Sequence, residues 1–78
     1  MKDWEKRIIV DPEILAGKPV IKGTRLSVEF ILGLLGNGVS MEEILENYPN
    51  ITKEDILACV AYAADVLQDI RVFPVKAG

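Results

Sequence analysis

Three cations stand close together on a stretch that begins at Gly17 and ends at Arg25. They are Lys18, Lys22 and Arg25 itself, and Thr24 adds a hydroxyl beside them. Lysine and arginine bind phosphates and carboxylates through charge-assisted hydrogen bonds, and glycine permits the tight turn that would bring such groups together. We therefore expect an anion-binding turn, for which the candidate residues are Lys18, Lys22, Thr24 and Arg25.

Two other interpretations of this stretch differ in what the cations do. A nucleotide-binding phosphate loop places lysine and then serine or threonine directly after its last glycine. Gly23 is instead followed by Thr24 and Arg25, so we expect no nucleotide site. The remaining alternative is a structural turn, stiffened by Pro19, whose cations are only solvated.

The other side chains that could carry chemistry are few. The chain has no histidine, the residue that most often serves as general base or metal ligand. Cys59 is the single cysteine and lies in an apolar run, so we expect it to be a small core residue. Glu42 and Glu46, one helical turn apart, are typical of a solvated helix face. The sequence therefore predicts no catalytic, cofactor or metal site, no enzyme activity and no small-molecule substrate.

Composition limits the size of the core. The chain has 78 residues, so it forms one domain, 1–78, with a thin core. Yet half of the residues are hydrophobic and the mean hydropathy is +0.24. Because so small a core buries little of this apolar material, we expect a homodimer. A compact, unusually apolar monomer is the alternative.

The charges are unevenly distributed, although the net charge is only −3. Residues 1–25 carry six cations and four acids, whereas residues 26–78 carry three cations and eight acids. A nucleic-acid footprint, if there is one, therefore lies in the N-terminal third. The charged N-terminus lacks a signal-peptide core and no apolar run is long enough to cross a membrane, so we expect a cytoplasmic protein without membrane contacts.

Residues 1–26 are predicted to form a β-hairpin arm. Ile8–Val10 is a short β-branched run that ends at a turn, and Pro19–Ile21 is a second. Pro19 has no N–H group to donate, so its strand either lies at an edge or begins there. Trp4 is expected to cover the small core.

Residues 27–70 are predicted to form three helices, each preceded by a hydroxyl side chain that can cap it. The expected bounds are Val28–Leu35 after Ser27, Met41–Asn47 after Ser40, and 53 to about 68 after Thr52. In the last helix the apolar residues that recur at helical spacing are Ile56, Leu57, Val60, Ala61, Ala64, Leu67 and Ile70. Residues 71–78 are expected to be an extended tail.

The short connection Tyr48–Ile51 between two capped helices is typical of a helix-turn-helix. The predicted fold class is mainly α, a short N-terminal β-hairpin followed by a three-helix, homeodomain-like bundle. The last helix is a poor match for DNA because Lys53 is followed by Glu54 and Asp55. We therefore add Lys53 to the candidate residues. We expect any DNA contact to come from the cations of the Gly17–Arg25 stretch, with Arg7 as a further cation.

Five segments together carry a resemblance to a known family; they are Asp11–Ile14, Gly17–Arg25, Gly38–Ser40, Tyr48–Pro49 and Ala61–Ala64. In this combination and order they resemble the DUF433 family, a domain of unknown function. The resemblance spans roughly residues 8–66. It implies a VapB-type antitoxin with a helix-turn-helix fold, encoded beside a PIN-like ribonuclease toxin, and it carries over no binding residues. Ala16 departs from the family, in which a second glycine often precedes Gly17.

Three functions are compatible with these features. The first is an antitoxin that binds and neutralises a PIN-like toxin and that also binds its own promoter DNA. Arg25 would pair with the carboxylates that, by the same resemblance, surround a metal in such a toxin. The second is a DNA-binding regulator without a toxin. The third is a structural, dimeric interaction module.

Overall fold

Two short strands and three helices make up the computed structural model of this protein, which describes residues 3–69. A 3₁₀ turn, Asp3–Lys6, precedes the first strand. The predicted mainly α fold with an N-terminal hairpin is confirmed. The predicted tail, 71–78, and Ile70, the last of the apolar residues at helical spacing, lie outside the described residues.

Strand β1 (Ile8–Val10) pairs antiparallel with strand β2 (Pro19–Ile21), and Val10 lies opposite Pro19. The N–H of Lys22 donates to the carbonyl oxygen of Arg7 at 2.7 Å. Because hydrogen-bonded and non-hydrogen-bonded pairs alternate along an antiparallel ladder, the Val10–Pro19 pair falls at a non-bonded position. The missing N–H of Pro19 therefore costs no ladder bond, and β2 begins at this residue as predicted.

The link between the strands contains three consecutive residues with positive φ. These are Leu15 at 49°, Ala16 at 56° and Gly17 at 84°. Their turn is closed by hydrogen bonds from the Gly17 N–H to the Ile14 carbonyl, and from the Lys18 N–H to the Leu15 carbonyl. A left-handed conformation costs an L-residue roughly 1–2 kcal/mol, so Leu15 and Ala16 are held in place by the fold rather than by preference.

The helices are α1 (Val28–Gly36), α2 (Met41–Asn47) and α3 (Lys53–Gln68), within one residue of the predicted bounds. Each predicted cap is formed. Ser27 accepts from the N–H of Phe30 at 2.9 Å and Ser40 from that of Glu43 at 3.1 Å. These bonds satisfy donors that have no partner inside a helix.

A single core of mostly β-branched side chains joins the hairpin to the helices. Its buried residues are Ile8, Ile21, Val28, Ile31, Ile44, Ile51, Ile56, Ala58 and Cys59. Trp4 is among the half-buried residues packed against this core, which confirms its predicted position. Helix α3 touches the N-terminal 3₁₀ turn, β1, α1 and α2, so one helix organises the whole fold.

The apolar residues that recur at helical spacing in α3 do not form one buried face. Among them only Ile56 is fully buried, and Cys59, predicted as a core residue, is buried beside it. Leu57, Val60, Ala61, Ala64 and Leu67 are exposed. Helix α3 is apolar on two sides, and periodicity alone does not show which side meets the other elements.

Candidate anion-binding site

The turn after β2 is held by its own hydrogen bonds. The carbonyl oxygen of Ile21 accepts from both the N–H and the hydroxyl of Thr24, at 3.0 and 2.8 Å. The same hydroxyl accepts from the N–H of Leu26 at 3.0 Å. Gly23 has a φ of 82°, the left-handed region that glycine adopts without strain. Thr24, predicted as a binding residue, therefore has its hydroxyl engaged in closing the turn.

Lys22 and Arg25 project from this turn into solvent. Both residues are exposed. Within residues 3–69 neither side chain has a hydrogen bond or an ion pair. Since the backbone beneath them is fixed by the Thr24 bonds, the two cations are available for an external anion without rearrangement of the turn.

Lys18 lies apart from this pair. Its Nζ is 3.1 Å from Oε1 of Glu29, in the first turn of α1. Lys18 and Lys22 are at opposite ends of β2, about 13 Å apart along the strand, at ~3.3 Å per residue. The predicted binding residues therefore do not form one cluster. Lys18 is in an exposed ion pair, which contributes little to stability.

Arg7 connects the turn after β2, the basic turn Lys22–Arg25, to α3. Its carbonyl oxygen accepts from the Lys22 N–H, and its Nη1 lies 3.0 Å from Oδ1 of Asp55. Lys53, the last of the predicted residues, is exposed two positions before Asp55. The cations Arg7, Lys22 and Lys53 are therefore brought to the same end of the molecule. The sequence indicated Arg7 as a cation but carried no signal for its pairing with Asp55.

The N-terminus of α3 is closed by a complete capping box. Thr52 Oγ1 accepts from the Asp55 N–H at 3.3 Å, and Asp55 Oδ2 accepts from the Thr52 N–H at 2.9 Å. Asp55 thus satisfies a backbone donor and pairs with Arg7 at the same time. Because a carboxylate already occupies this positive helix end, the anion-binding capacity of this region belongs to the side chains of the turn.

Two apolar grooves run beside α3. One, of about 450 Å³, lies against the N-terminal arm and includes Trp4, Lys6, Arg7 and Leu57. The Trp4 ring meets Tyr62 edge-on at 4.8 Å, and its Nε1 donates to Asp65. The other groove, of about 500 Å³, lies between α3 and the start of α1; its lining residues are Pro19, Val28, Glu29, Leu32, Tyr62, Ala63, Val66 and Leu67.

Cys59 is buried in the core, as predicted. Burial raises the pKa of its thiol from 9.0 to about 11, and the charge of Asp55 adds to the rise. A thiol with so high a pKa is protonated at neutral pH and is a poor nucleophile.

Comparison with known proteins points to the same family as the sequence segments do. A family model described as "Protein of unknown function (DUF433)" matches residues 8–63. The chain belongs to the DUF433 family. A DUF433 member protein from Anabaena variabilis ATCC 29413, known from a crystal structure, is 29% identical with a TM-score of 0.75. That similarity covers 80% of this chain and 61% of the other.

A relative of known sequence is much longer than this chain. It is "Uncharacterized protein y4eO" of Sinorhizobium fredii (strain NBRC 101917 / NGR234), which is 38% identical over 52 residues. The match covers 67% of this chain but 24% of the relative. The matched part of this chain therefore corresponds to about a quarter of the length of that relative. Among the residues that the structure describes here, no helix is long and apolar enough to cross a bilayer.

Proposed function

We propose that this DUF433 protein is an antitoxin that binds and neutralises a PIN-like ribonuclease toxin. The observation that carries the proposal is the pair Lys22 and Arg25, two exposed cations without partners within residues 3–69 on a self-supporting turn. The family resemblance implies a toxin whose active site is a group of carboxylates around a metal. Arginine binds such groups bidentately, which makes Arg25 the principal contact.

The rigidity of the turn supports a role in binding. A side chain that is presented by an ordered backbone loses less conformational entropy when it meets its partner. Here Thr24 makes its three hydrogen bonds with Ile21 and Leu26, so the backbone between Lys22 and Arg25 is ordered in the free protein. The ion pair of Arg7 with Asp55 joins the same end of the hairpin to α3.

The surface of α3 favours a protein partner over DNA readout by this helix. A recognition helix presents polar side chains to the base edges and cations to the phosphates. The exposed side of α3 instead presents Leu57, Val60 and Leu67, and its first turn places Lys53 next to Glu54. The proposal also includes a homodimer, in keeping with this large apolar surface.

The second candidate function is a DNA-binding regulator without a toxin. It is supported by the same cations and by the short connection between α2 and α3. Lys22 and Arg25 would bind phosphates, and replacing either of them with alanine would lower the slope of log affinity against log salt concentration by roughly one. A purely structural module, the third candidate, predicts a stable dimer with neither activity.

Co-expression with the product of the adjacent gene tests the antitoxin proposal. We expect the two proteins to purify together and the nuclease activity to be inhibited. Arg25→Ala and Lys22→Ala should each weaken the complex about tenfold or more, as expected for removing a charge-assisted hydrogen bond. Lys18→Ala is the matched control, because Lys18 is also exposed but is paired with Glu29. No complex, or equal effects of all three changes, would contradict the proposal.

A promoter-binding measurement separates the regulator from the antitoxin. The upstream DNA of the gene is titrated with the protein alone at several salt concentrations. Strong salt dependence that decreases in Lys22→Ala and Arg25→Ala, without any toxin complex, supports the regulator. DNA binding that changes neither with salt concentration nor in these two variants excludes the regulator.

A further inference from the structure

The core-facing side of α3 continues beyond the core. Ile56, Cys59, Ala63 and Val66 are separated by three, four and three residues, so they share one face of the helix. Ile56 and Cys59 are fully buried, whereas Ala63 is half-buried and Val66 remains 40% exposed. The second half of this face therefore lacks a cover from residues 3–69, although its first half is packed in the core.

The groove between α3 and the start of α1 lies on this same face. Ala63 and Val66 line the groove, and the core residue Val28 forms part of its wall. Among the described residues that line it, Glu29 alone is charged, and its side chain is 77% exposed and paired with Lys18. The groove is therefore an open, apolar extension of the core with a polar rim, and an apolar occupant would be removed from water there.

The part of the chain that follows α3 starts beside this groove. The described residues end at Asp69, two positions after Leu67, which lines the groove. We define residues 70–78 as the C-terminal segment. Its large apolar residues are Ile70, Val72, Phe73 and Val75.

The charges of the C-terminal segment are compatible with the groove. The segment carries the cations Arg71 and Lys76 and no acidic side chain. The groove has Glu29 at its rim and the C-terminal end of α3, the negative end of the helix dipole, beside it. No like-charge repulsion therefore opposes contact between the segment and the groove.

The C-terminal segment is long enough to reverse direction and follow the groove. Pro74 disfavours a helical conformation at Phe73, so we expect an extended chain there. From Asp69 the groove extends back to Tyr62, about 10 Å along the helix axis, whereas nine extended residues span about 30 Å. Phe73 and Val75, two positions apart, point to the same side of an extended chain.

Covalent attachment favours this segment over any separate molecule. A short linker gives the attached group an effective concentration in the millimolar range. A second copy of the chain, or another protein at micromolar concentration, would have to displace an apolar segment that is already held at the end of the groove.

We propose that the C-terminal segment, 70–78, folds back over the groove between α1 and α3 of its own chain, with Phe73 and Val75 against Ala63 and Val66. This inference does not depend on the proposed function, because neither Lys22 nor Arg25 lines the groove. The segment completes the core at the end of α3 that residues 3–69 leave open.

Disulfide formation within one chain tests where the segment lies. Leu32→Cys, on the α1 wall of the groove, is combined with Phe73→Cys or with Val75→Cys in the full chain. Ala61→Cys with the same two partners is the matched control. Ala61 is exposed in the other groove of α3 and about 12 Å from Asp69 along the axis, so a segment that does not dock reaches it as readily.

With oxidised glutathione, at least one Leu32 pair should form the intramolecular disulfide about tenfold or more faster than the corresponding Ala61 pair. Non-reducing electrophoresis and mass spectrometry of the digested protein identify the bond. The native Cys59 is buried and is present in every variant.

Thermal unfolding of the full chain tests whether the contact stabilises the fold. Phe73→Asp should lower the midpoint by about 4 °C or more, because the aromatic ring no longer covers the groove. Ala77→Asp is the matched control, since it adds the same charge to the same segment at a small side chain, and it should leave the midpoint unchanged.

Several results would overturn this inference. One is equal disulfide formation by the Leu32 and Ala61 pairs, or none by either Leu32 pair. Another is a disulfide that joins two chains instead of one, which would assign the groove to the segment of a second copy. A third is an equal effect of Phe73→Asp and Ala77→Asp on the unfolding midpoint. None of these outcomes bears on toxin binding by the basic turn.

Discussion

The guanidinium of Arg7 lies 3.0 Å from the carboxylate of Asp55, a residue 48 positions later in the chain. Asp55 is also the acid of the α3 capping box, in which it exchanges hydrogen bonds with Thr52. One carboxylate therefore joins the start of the hairpin to the start of the longest helix. The basic turn is attached to the same point through the bond between Lys22 and the Arg7 carbonyl.

Asp55→Ala is expected to destabilise the protein by about 1–2 kcal/mol, because it removes one side of a capping box and leaves Arg7 without its partner. Arg7→Ala should cost less, about 0.5–1 kcal/mol, since its side chain is partly solvated. Urea denaturation measures both. Glu54→Ala is the control, because this exposed neighbour has no partner within residues 3–69. Equal urea midpoints for Asp55→Ala and Glu54→Ala would show that the contacts of Asp55 with Arg7 and Thr52 do not stabilise the fold.

Ala16→Gly is expected to stabilise the protein by up to about 1 kcal/mol. Ala16 has a φ of 56°, and glycine relieves that strain at the cost of a more flexible unfolded chain. Ala16→Val should destabilise instead, since a β-branched side chain resists a left-handed backbone. Thermal unfolding of the two variants measures the difference. A lower midpoint for Ala16→Gly would mean that glycine stabilises the unfolded chain through its entropy by more than it relieves strain in the folded state.

Gly23→Ala is expected to weaken the binding of the anionic partner. Its φ of 82° is unfavourable for alanine, although no atom lies within 4 Å of the added Cβ. The stability cost should be about 1 kcal/mol, with the backbone between Lys22 and Arg25 displaced. Titration with the partner, or with DNA if the regulator is correct, measures the loss. Gly36→Ala is the control, because Gly36 is helical and has no positive φ. If Gly23→Ala leaves the affinity unchanged, the conformation of this turn does not contribute to binding of the partner.

Stability is expected to fall as the pH rises from about 9 to about 11. The thiol of Cys59 has a pKa raised to about 11 in the folded protein, whereas the exposed thiol of the unfolded chain ionises near 9.0. The unfolded state therefore binds fewer protons in this interval, and the free energy of unfolding decreases with pH, by at most about 1.4 kcal/mol per unit.

Urea midpoints at pH 8 and pH 10.5 measure this effect. Cys59→Ala is less stable at both values but lacks the thiol, so its midpoint should fall less between them. All other groups are common to the two proteins, so their effects cancel in the comparison. Parallel decreases in the two proteins would show that Cys59 does not couple folding to pH.

The local elements of this protein are determined by short-range chemistry that can be read along the chain. Ser27, Ser40 and Thr52 each cap a helix within three residues of themselves, and Pro19 specifies a strand start through its own missing N–H. These interactions involve neighbours in sequence, so composition and spacing are sufficient to predict them.

The tertiary structure alone decided which apolar face of α3 is buried and which cations are free. Ile56 and Leu57 are adjacent and similarly hydrophobic, but one is fully buried and the other is half exposed. Lys18 and Lys22 are equivalent in sequence, but only Lys18 meets a carboxylate, that of Glu29. Such outcomes depend on which elements pack together, because burial and ion pairing join residues far apart in the chain and carry no local signal.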